Sequence, residues 1–134
     1  MDKGILQKDD EEAIYVYQVS HYGFTQTGFW TLTAIDDYLN NTVKKHELTR
    51  ADREQNLVDY LQHTGMDANP VLITYPADDF LTEVLAKTIK TKPFLQFSLD
   101  AAEHSMWRIT DEELLKSIIH RFTKLSASYI ADGH

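Results

Sequence analysis

The chain has 134 residues, 43% of them hydrophobic, and a formal net charge of −8. This size suits one domain with a real core, while the acidic charge disfavours broad binding to nucleic-acid phosphates. The chain has no cysteine, which excludes disulfides and thiolate zinc sites, and it has no apolar run long enough to span a membrane. We therefore expect a cytoplasmic protein with neither a nucleic-acid nor a membrane partner.

The N-terminal part of the chain predicts a β-hairpin. Residues 14–19 are β-branched and aromatic, which is typical of a strand. Residues 20–28 carry two glycines and predict a loop or hairpin connection, and residues 29–35 predict the partner strand. Residues 36–41 predict a turn, so the hairpin region is expected to occupy residues 1–41.

The central part of the chain predicts a helix followed by a strand. Thr49 is a good N-cap, and Asp52 favours the positive end of the helix dipole. The helix is predicted over residues 50–63, with Gly65 as its stop. Residues 71–75 form a continuous apolar run, which predicts a strand buried on both faces.

A second helix and a second hairpin are predicted next. Residues 76–79 form a turn into the helix, which is expected to end by Pro93. Residues 94–99 and 104–109 predict an antiparallel hairpin around a short loop at Asp100-Ala101-Ala102.

The C-terminal part predicts a third helix and a last strand. Residues 110–113 resemble a capping box with Thr110 at the cap, before a helix over about 111–125. Residues 128–131 predict a strand that ends at Asp132. The order of elements predicts an α/β (α+β) fold with a mixed sheet and about three helices, forming one domain over residues 1–134.

The segment around Glu47 is the first candidate site. A solvated helix cap is one interpretation of Lys44-Lys45-His46-Glu47-Leu48-Thr49-Arg50. The other is a general base, Glu47, beside cations at a helix N-terminus, where backbone N–H groups bind anions. Lys44, Lys45 or Arg50 would then balance phosphate charge. His46-Glu47 begins like a zinc-protease helix, but Arg50 replaces the second histidine, so the two-imidazole zinc site is excluded.

The C-terminal Asp132-Gly133-His134 is the second candidate site. One interpretation is a tight turn with an exposed tail. The other is a phosphate site, with a carboxylate for Mg²⁺, a glycine where backbone approaches a phosphate, and an imidazole that donates to oxygen.

Several segments, taken in order, resemble a bacterial family of proteins of unknown function, the one numbered one thousand and fifteen. Its match covers the chain from about Gly4 to the end. The segments that carry it are Tyr15-Val16-Tyr17, residues 23–28, residues 43–50, Asn69-Pro70-Val71 and Ile130-Ala131-Asp132-Gly133-His134. The His-Glu, Asn-Pro and Asp-Gly-His series is also similar to the ParB/sulfiredoxin-like superfamily, and most of all to its nucleotide-dependent free-serine kinases.

The resemblance implies a fold and a set of roles. It implies a ParB/sulfiredoxin-like core over residues 42–134 with the hairpin added before it. Members are longer and continue Asp-Gly-His-His-Arg, so this chain is expected to be an internal fragment; the second His and the Arg have no counterpart here. The implied roles are a general base at Glu47, a substrate or phosphate contact at His46, a nucleotide site at Lys45, Thr49, Arg50, Asp132, Gly133 and His134, and a metal ligand at Asp132.

The function implied is phosphoryl transfer on a small hydroxy amino acid such as serine, with ADP or ATP and Mg²⁺. The alternatives are a phosphoserine-type phosphatase using the same pocket, and a non-catalytic nucleotide-binding or regulatory module. The partner is expected to be a small-molecule substrate, and homo-oligomerisation stays open. Glu47 is expected within roughly 10 Å of Asp132, because both must flank one transferred phosphoryl group.

Overall fold

The computed structural model describes residues 8–45, 50–66 and 70–132. Within these ranges the chain forms four helices and seven strands arranged in two sheets, so the predicted α+β class is confirmed. The strands are β1 Ile14–His21, β2 Phe24–Trp30, β3 Val43–Lys44, β4 Leu72–Thr74, β5 Leu95–Leu99, β6 Ala102–Ile109 and β7 Ser128–Asp132. The helices are α1 Ile35–Leu39, α2 Ala51–Thr64, α3 Asp79–Thr88 and α4 Glu112–Thr123.

The chain forms two compact units. The first unit contains Met1–Leu32 and Asp78–Lys124, and the second contains Thr33–Ala77 and Leu125–His134. Each unit is therefore built from segments that are distant in sequence. The expectation of a single domain, with a hairpin region before residue 42 and a core after it, stays a prediction.

The sheet of the first unit has the order β2-β1-β6-β5, and all its neighbours are antiparallel. The predicted N-terminal hairpin is confirmed, but its connection is shorter than the predicted residues 20–28, because β1 and β2 pair continuously up to His21 and Phe24. The turn needs only Tyr22 and Gly23, which have φ angles of 49° and 79°. Positive φ at both central residues is typical of the tight turn that matches the twist of a hairpin.

A second tight hairpin joins β5 to β6. Asp100 and Ala101 form its turn, with φ angles of 53° and 63°, and Leu99 is paired with Ala102. The predicted hairpin is therefore confirmed, although its turn is one residue shorter than expected. Neither turn residue is a glycine, and only Asp100 belongs to the residue types that tolerate left-handed backbone well.

The core of the first unit lies between one face of this sheet and helices α3 and α4. Val16 of β1, Leu81 of α3 and Ile118 of α4 are fully buried. The indole Nε1 of Trp107 donates to the carbonyl oxygen of Thr91 at 2.8 Å. This bond attaches the segment after α3 to the sheet, because Trp107 belongs to β6.

The helix ends of the first unit differ from their predicted positions. Asp78 caps α3 by accepting from the backbone N–H of Leu81 at 3.0 Å, and the helix ends at Thr88, five residues before Pro93. Helix α4 has Asp111 at its cap and no side-chain cap bond, so the predicted capping box with Thr110 at the cap is wrong.

The second unit contains a mixed sheet of order β3-β7-β4. Strand β3 is parallel to β7, and β4 is antiparallel to it. The predicted strand over 29–35 ends at Trp30, and the turn predicted over 36–41 is mostly helix α1. Strand β4 lies at a sheet edge with Leu72 exposed, so the predicted burial on both faces is wrong. Helix α2 ends as predicted at Gly65, whose φ is 67°.

Candidate functional site

The carboxyl ends of β3 and β7 lie at the same edge of the second unit's sheet. Val43 is paired with Ser128 and Lys44 with Tyr129 in parallel register. The backbone N–H of Ser128 donates to the carbonyl oxygen of Thr42 at 3.1 Å, which fixes the start of this pairing. Parallel strands run in one direction, so the chain leaves β3 toward the edge at which β7 ends.

Lys45, the first residue after β3, is held by an aromatic ring. Its Nζ lies 4.1 Å from the centroid of the Tyr38 ring, in helix α1 of the same unit. A lysine over a tyrosine face gains roughly 0.5–1 kcal/mol at an exposed site. Buried Val43 anchors the strand directly before it. The ammonium group is therefore oriented at the carboxyl end of β3 while it remains accessible to an anion.

Arg50, which precedes helix α2, makes an ion pair with its near neighbour. Its Nη2 lies 3.0 Å from Oδ2 of Asp52, and the two side chains are 67% and 63% exposed. Exposed ion pairs contribute little net free energy because water and salt screen them. A phosphate group can therefore replace Asp52 as the partner of this guanidinium at small cost.

Asp132 is the last residue of β7 and lies opposite Leu72 of β4. Its side chain is exposed. No group of three histidine, aspartate or glutamate side chains that could hold a metal occurs among the described residues. One carboxylate nevertheless suits Mg²⁺, which keeps several waters and takes its other ligands from substrate phosphates.

The remaining predicted site residues lie outside the described residues. They are His46, Glu47, Thr49, Gly133 and His134. The expected separation of Glu47 from Asp132 therefore stays a prediction, as do the roles of all five residues. Asn69, which belongs to the Asn-Pro segment, also lies outside the described ranges.

Two pockets of the first unit contain none of the predicted site residues. One, of about 330 Å³, is lined by Lys8, Asp9, Asp10, Glu11, Arg108 and Thr110. The other, of about 180 Å³, is a mainly apolar depression beside α3 and is lined by Phe80, Glu83, Val84, Lys87, Thr88 and Leu114. The larger pocket also contains cations and carboxylates, but they come from the N-terminal segment and β6 rather than from the motifs that predicted the site.

The larger pocket is bordered by a hydrogen-bonded cluster around Asp9. The Tyr15 hydroxyl donates to Asp9, and Arg108 donates from Nε and Nη2 at 3.1 and 2.9 Å. The hydrogen bond from Tyr15, followed by those from Arg108, lowers the pKa of Asp9. Arg108 also lies 3.8 Å from the Phe94 ring centroid. All these groups are satisfied by one another, so the cluster attaches residue 9 to the sheet.

Sequence reasoning missed Tyr38 as a member of the candidate site. It placed Tyr38 in a turn, whereas helix α1 presents the ring to Lys45. The available signal was the run Ile35-Asp36-Asp37-Tyr38-Leu39, which carries acidic residues in a first helical turn and apolar residues four apart.

Comparison with known proteins gives one family match. The family model described as protein of unknown function (DUF1015) matches residues 1–134. Comparison with the curated proteins found no match to this chain, and comparison with the solved structures found none. None of the described helices has the length and apolar character needed to cross a bilayer.

Proposed function

This chain belongs to the DUF1015 family of proteins of unknown function, and from that premise we propose that the carboxyl edge of the β3-β7-β4 sheet binds nucleotide phosphates. The proposed activity is phosphoryl transfer to the hydroxyl of a small amino acid such as serine. The observation that carries the proposal is the parallel pairing of β3 with β7. Because the two strands are parallel, the C-terminal end of β3, just before Lys45, and the C-terminal end of β7, at Asp132, point to the same side of the sheet. Ligands of open sheets commonly bind at the carboxyl ends of the strands.

The cations of this edge suit the charge of a nucleotide. Lys45 is oriented by Tyr38, and Arg50 makes an exposed ion pair with Asp52. Both can move onto phosphate oxygens without leaving a buried charge behind. The net charge of −8 opposes anion binding at long range, but screening limits that field to about 10 Å. Two cations next to the phosphates therefore dominate the local interaction.

The proposed chemistry assigns a role to each remaining residue. Glu47 accepts the proton of the substrate hydroxyl as its oxygen attacks phosphorus and the bond to the nucleotide breaks. His46 contacts the substrate or the phosphate. Asp132 would hold Mg²⁺, which neutralises phosphate charge when bound. Thr49, Gly133 and His134 complete the phosphate site by hydrogen bonding, with the glycine allowing close backbone approach.

The wider features of the proposal follow from the same resemblance. The core over residues 42–134 is proposed to be ParB/sulfiredoxin-like, and the nucleotide to be ADP or ATP. We place the protein in the cytoplasm, where such a nucleotide and a free amino acid are both available.

An exposed site favours a second candidate function. Lys45, Arg50 and Asp132 are all exposed, whereas a kinase must exclude water from the transferred group. Without closure, water can take the place of the hydroxyl as acceptor, and with phosphoserine as the phosphoryl donor the same residues would promote its hydrolysis to serine and inorganic phosphate. A non-catalytic nucleotide-binding module needs no exclusion of water at all.

Calorimetry tests the nucleotide site directly. The chain is titrated with ADP, ATP and CTP in the presence of Mg²⁺, and ADP or ATP is expected to bind. Lys45→Ala and Arg50→Ala are each expected to weaken that binding. Lys90→Ala removes the same charge in the first unit and is expected to leave binding unchanged. An absence of heat with all three nucleotides contradicts the proposal.

Product analysis separates the three functions. Phosphoserine formed from serine and nucleotide supports the kinase. Phosphate released from phosphoserine without nucleotide supports the phosphatase. Nucleotide binding without either product supports the non-catalytic module.

A further inference from the structure

Strand β5 is an edge strand without the usual protection. It lies at one end of the order β2-β1-β6-β5. All five of its residues, Leu-Gln-Phe-Ser-Leu, are exposed, and none is charged or a proline. Natural edge strands commonly carry a lysine, a proline or a bulge, because their open N–H and C=O groups can pair with another strand. Strand β5 has neither a charge nor a proline between Leu95 and Leu99.

The side chains of β5 extend an apolar row across the sheet. Leu95, Phe97 and Leu99 alternate along the strand and are 42%, 42% and 58% exposed. The Phe97 ring stacks on His104 of β6, with centroids 4.7 Å apart and planes 8° from parallel. His104 is hydrogen-bonded through Nδ1 to the Tyr17 hydroxyl of β1. The edge is thus held rigidly by neighbouring strands, which lowers the entropic cost of docking a partner on it.

Opposite charges flank the two ends of β5. Lys92 precedes the strand and Asp100 follows it, and both are exposed. In an antiparallel pair of two β5 strands, the N-terminal end of one strand lies beside the C-terminal end of the other. Lys92 of one copy then approaches Asp100 of the second copy, and the same contact recurs by two-fold symmetry. The edge is charge-complementary to itself.

We propose that β5 pairs with β5 of a second copy of this chain, forming a two-fold dimer with a continuous eight-stranded sheet. Main-chain hydrogen bonds hold the pair, and the Leu95, Phe97 and Leu99 side chains of the two copies meet on one face. The segment over residues 90–99 contains two lysines and no carboxylate. The segment therefore brings none of the net negative charge of −8 into the interface.

The opposite edge strand, β2, lacks this complementarity. Its residues are also uncharged, but it is preceded by Tyr22-Gly23 and followed by Thr31-Leu32. An antiparallel pair of β2 strands would gain no ion pair at its ends. Strand β2 consequently provides a matched control edge in the same sheet.

Sedimentation velocity over a range of protein concentrations tests the dimer. The wild-type chain is expected to shift from monomer to dimer as concentration rises. Gln96→Lys places two like charges near the dimer axis and is expected to leave only monomer at the same concentrations. Gln26→Lys makes the same change on β2 and is expected to dimerise like wild type, and circular dichroism checks that both variants fold. A wild-type monomer throughout, or equal effects of the two variants, overturns the proposal.

A cysteine reporter tests the pairing independently of affinity. The chain has no cysteine, so Gln96→Cys introduces a single thiol near the proposed axis. Under mild oxidation it is expected to form a disulfide-linked dimer much faster than Gln26→Cys, judged by non-reducing electrophoresis. Equal rates for the two variants overturn the assignment of β5 as the interface.

Discussion

Arg121 near the end of helix α4 binds the residue that starts helix α3. Its Nε lies 2.6 Å from Oδ2 of Asp78, while Oδ1 of the same carboxylate accepts from the backbone N–H of Leu81 at 3.0 Å. The Asp78 side chain is only 9% exposed. One carboxylate thus caps α3 and ties it to α4.

The double role of Asp78 predicts an order of stabilities. Asp78→Ala removes both the cap and the partner of Arg121, whereas Asp78→Asn keeps a good capping side chain and loses the ion pair. We expect the melting temperature to fall by several degrees in Asp78→Ala and by less in Asp78→Asn. Thermal unfolding followed by circular dichroism measures this. Asp79→Asn, an exposed change one residue away, is the control, and an equal loss in that variant would contradict the assigned role.

The same carboxylate predicts a dependence of stability on pH. The backbone hydrogen bond from Leu81, and then the interaction with Arg121, lower the pKa of Asp78 below its ordinary value of 3.8. A lowered folded-state pKa means that the stabilisation is fully present above the unfolded value and is lost as pH falls through the folded value. The difference in free energy of unfolding between wild type and Asp78→Asn should therefore be constant near neutral pH.

That difference should shrink below about pH 4, where the unfolded carboxyl takes up its proton. Urea denaturation of both proteins at several pH values measures it. Asp9 has a lowered pKa as well, through Tyr15 and Arg108, so both proteins should lose further stability in acid, and this common loss cancels in the difference. A difference between the two proteins that persists unchanged into strong acid would show that Asp78 acts without its charge.

The two tryptophans predict a contrast between buried and exposed positions. Trp107 is 5% exposed and donates to the carbonyl of Thr91, whereas Trp30 is 42% exposed. Trp107→Phe loses the hydrogen bond and leaves space in the core, which should cost about 1–3 kcal/mol of unfolding free energy. Trp30→Phe should change it by no more than about 0.5 kcal/mol. Equal costs in urea denaturation followed by circular dichroism would contradict the anchoring role of Trp107.

Much of the fold follows from local signals in the sequence. The short loop at Asp100-Ala101-Ala102 between residues 94–99 and 104–109 predicted the hairpin of β5 and β6, and Gly65 predicted the end of α2. Tight turns and left-handed glycine caps depend on few neighbouring residues. The missed parts depend on how strands pair. Residues 20–28 were predicted as a loop or hairpin connection from their two glycines, yet Gln18 bonds Thr27 and Ser20 bonds Thr25 across the hairpin. Polar residues there extend the ladder rather than ending it.

The candidate site was less predictable than the fold. Short motifs identified Lys45, Arg50 and Asp132 as charged residues at the ends of elements. No local pattern reveals that β3 and β7 are parallel neighbours, since Val43 and its partner Ser128 are 85 positions apart in the sequence. Tyr38 was missed because residues 36–41 were predicted as a turn. Its role depends on how α1 returns toward β3, which the five residues of α1 do not encode alone.

The ring beneath Lys45 predicts a graded effect on nucleotide binding. Tyr38→Leu removes the aromatic face but keeps the ammonium group, so Lys45 loses its orientation and keeps its charge. Nucleotide affinity should therefore fall by less than in Lys45→Ala, because a cation–π contact at an exposed site contributes only about 0.5–1 kcal/mol. Calorimetry on both variants measures the order. A larger loss in Tyr38→Leu than in Lys45→Ala would mean that the ring itself contacts the ligand.

Glu47 predicts a loss of turnover without a loss of binding. Replacing a positioned general base by its amide should lower the rate of phosphoryl transfer by about 10²–10⁴-fold. In the proposed site Glu47→Gln would remove a negative charge beside the phosphates, so nucleotide affinity should stay constant or rise. Glu113→Gln makes the same change on the exposed start of α4 and should leave the rate unaltered. Initial rates and calorimetry on the same preparations separate the two effects. If the rate of Glu47→Gln stays within about threefold of the wild-type rate, the loss is too small for a general base. Another group or water would then accept the proton.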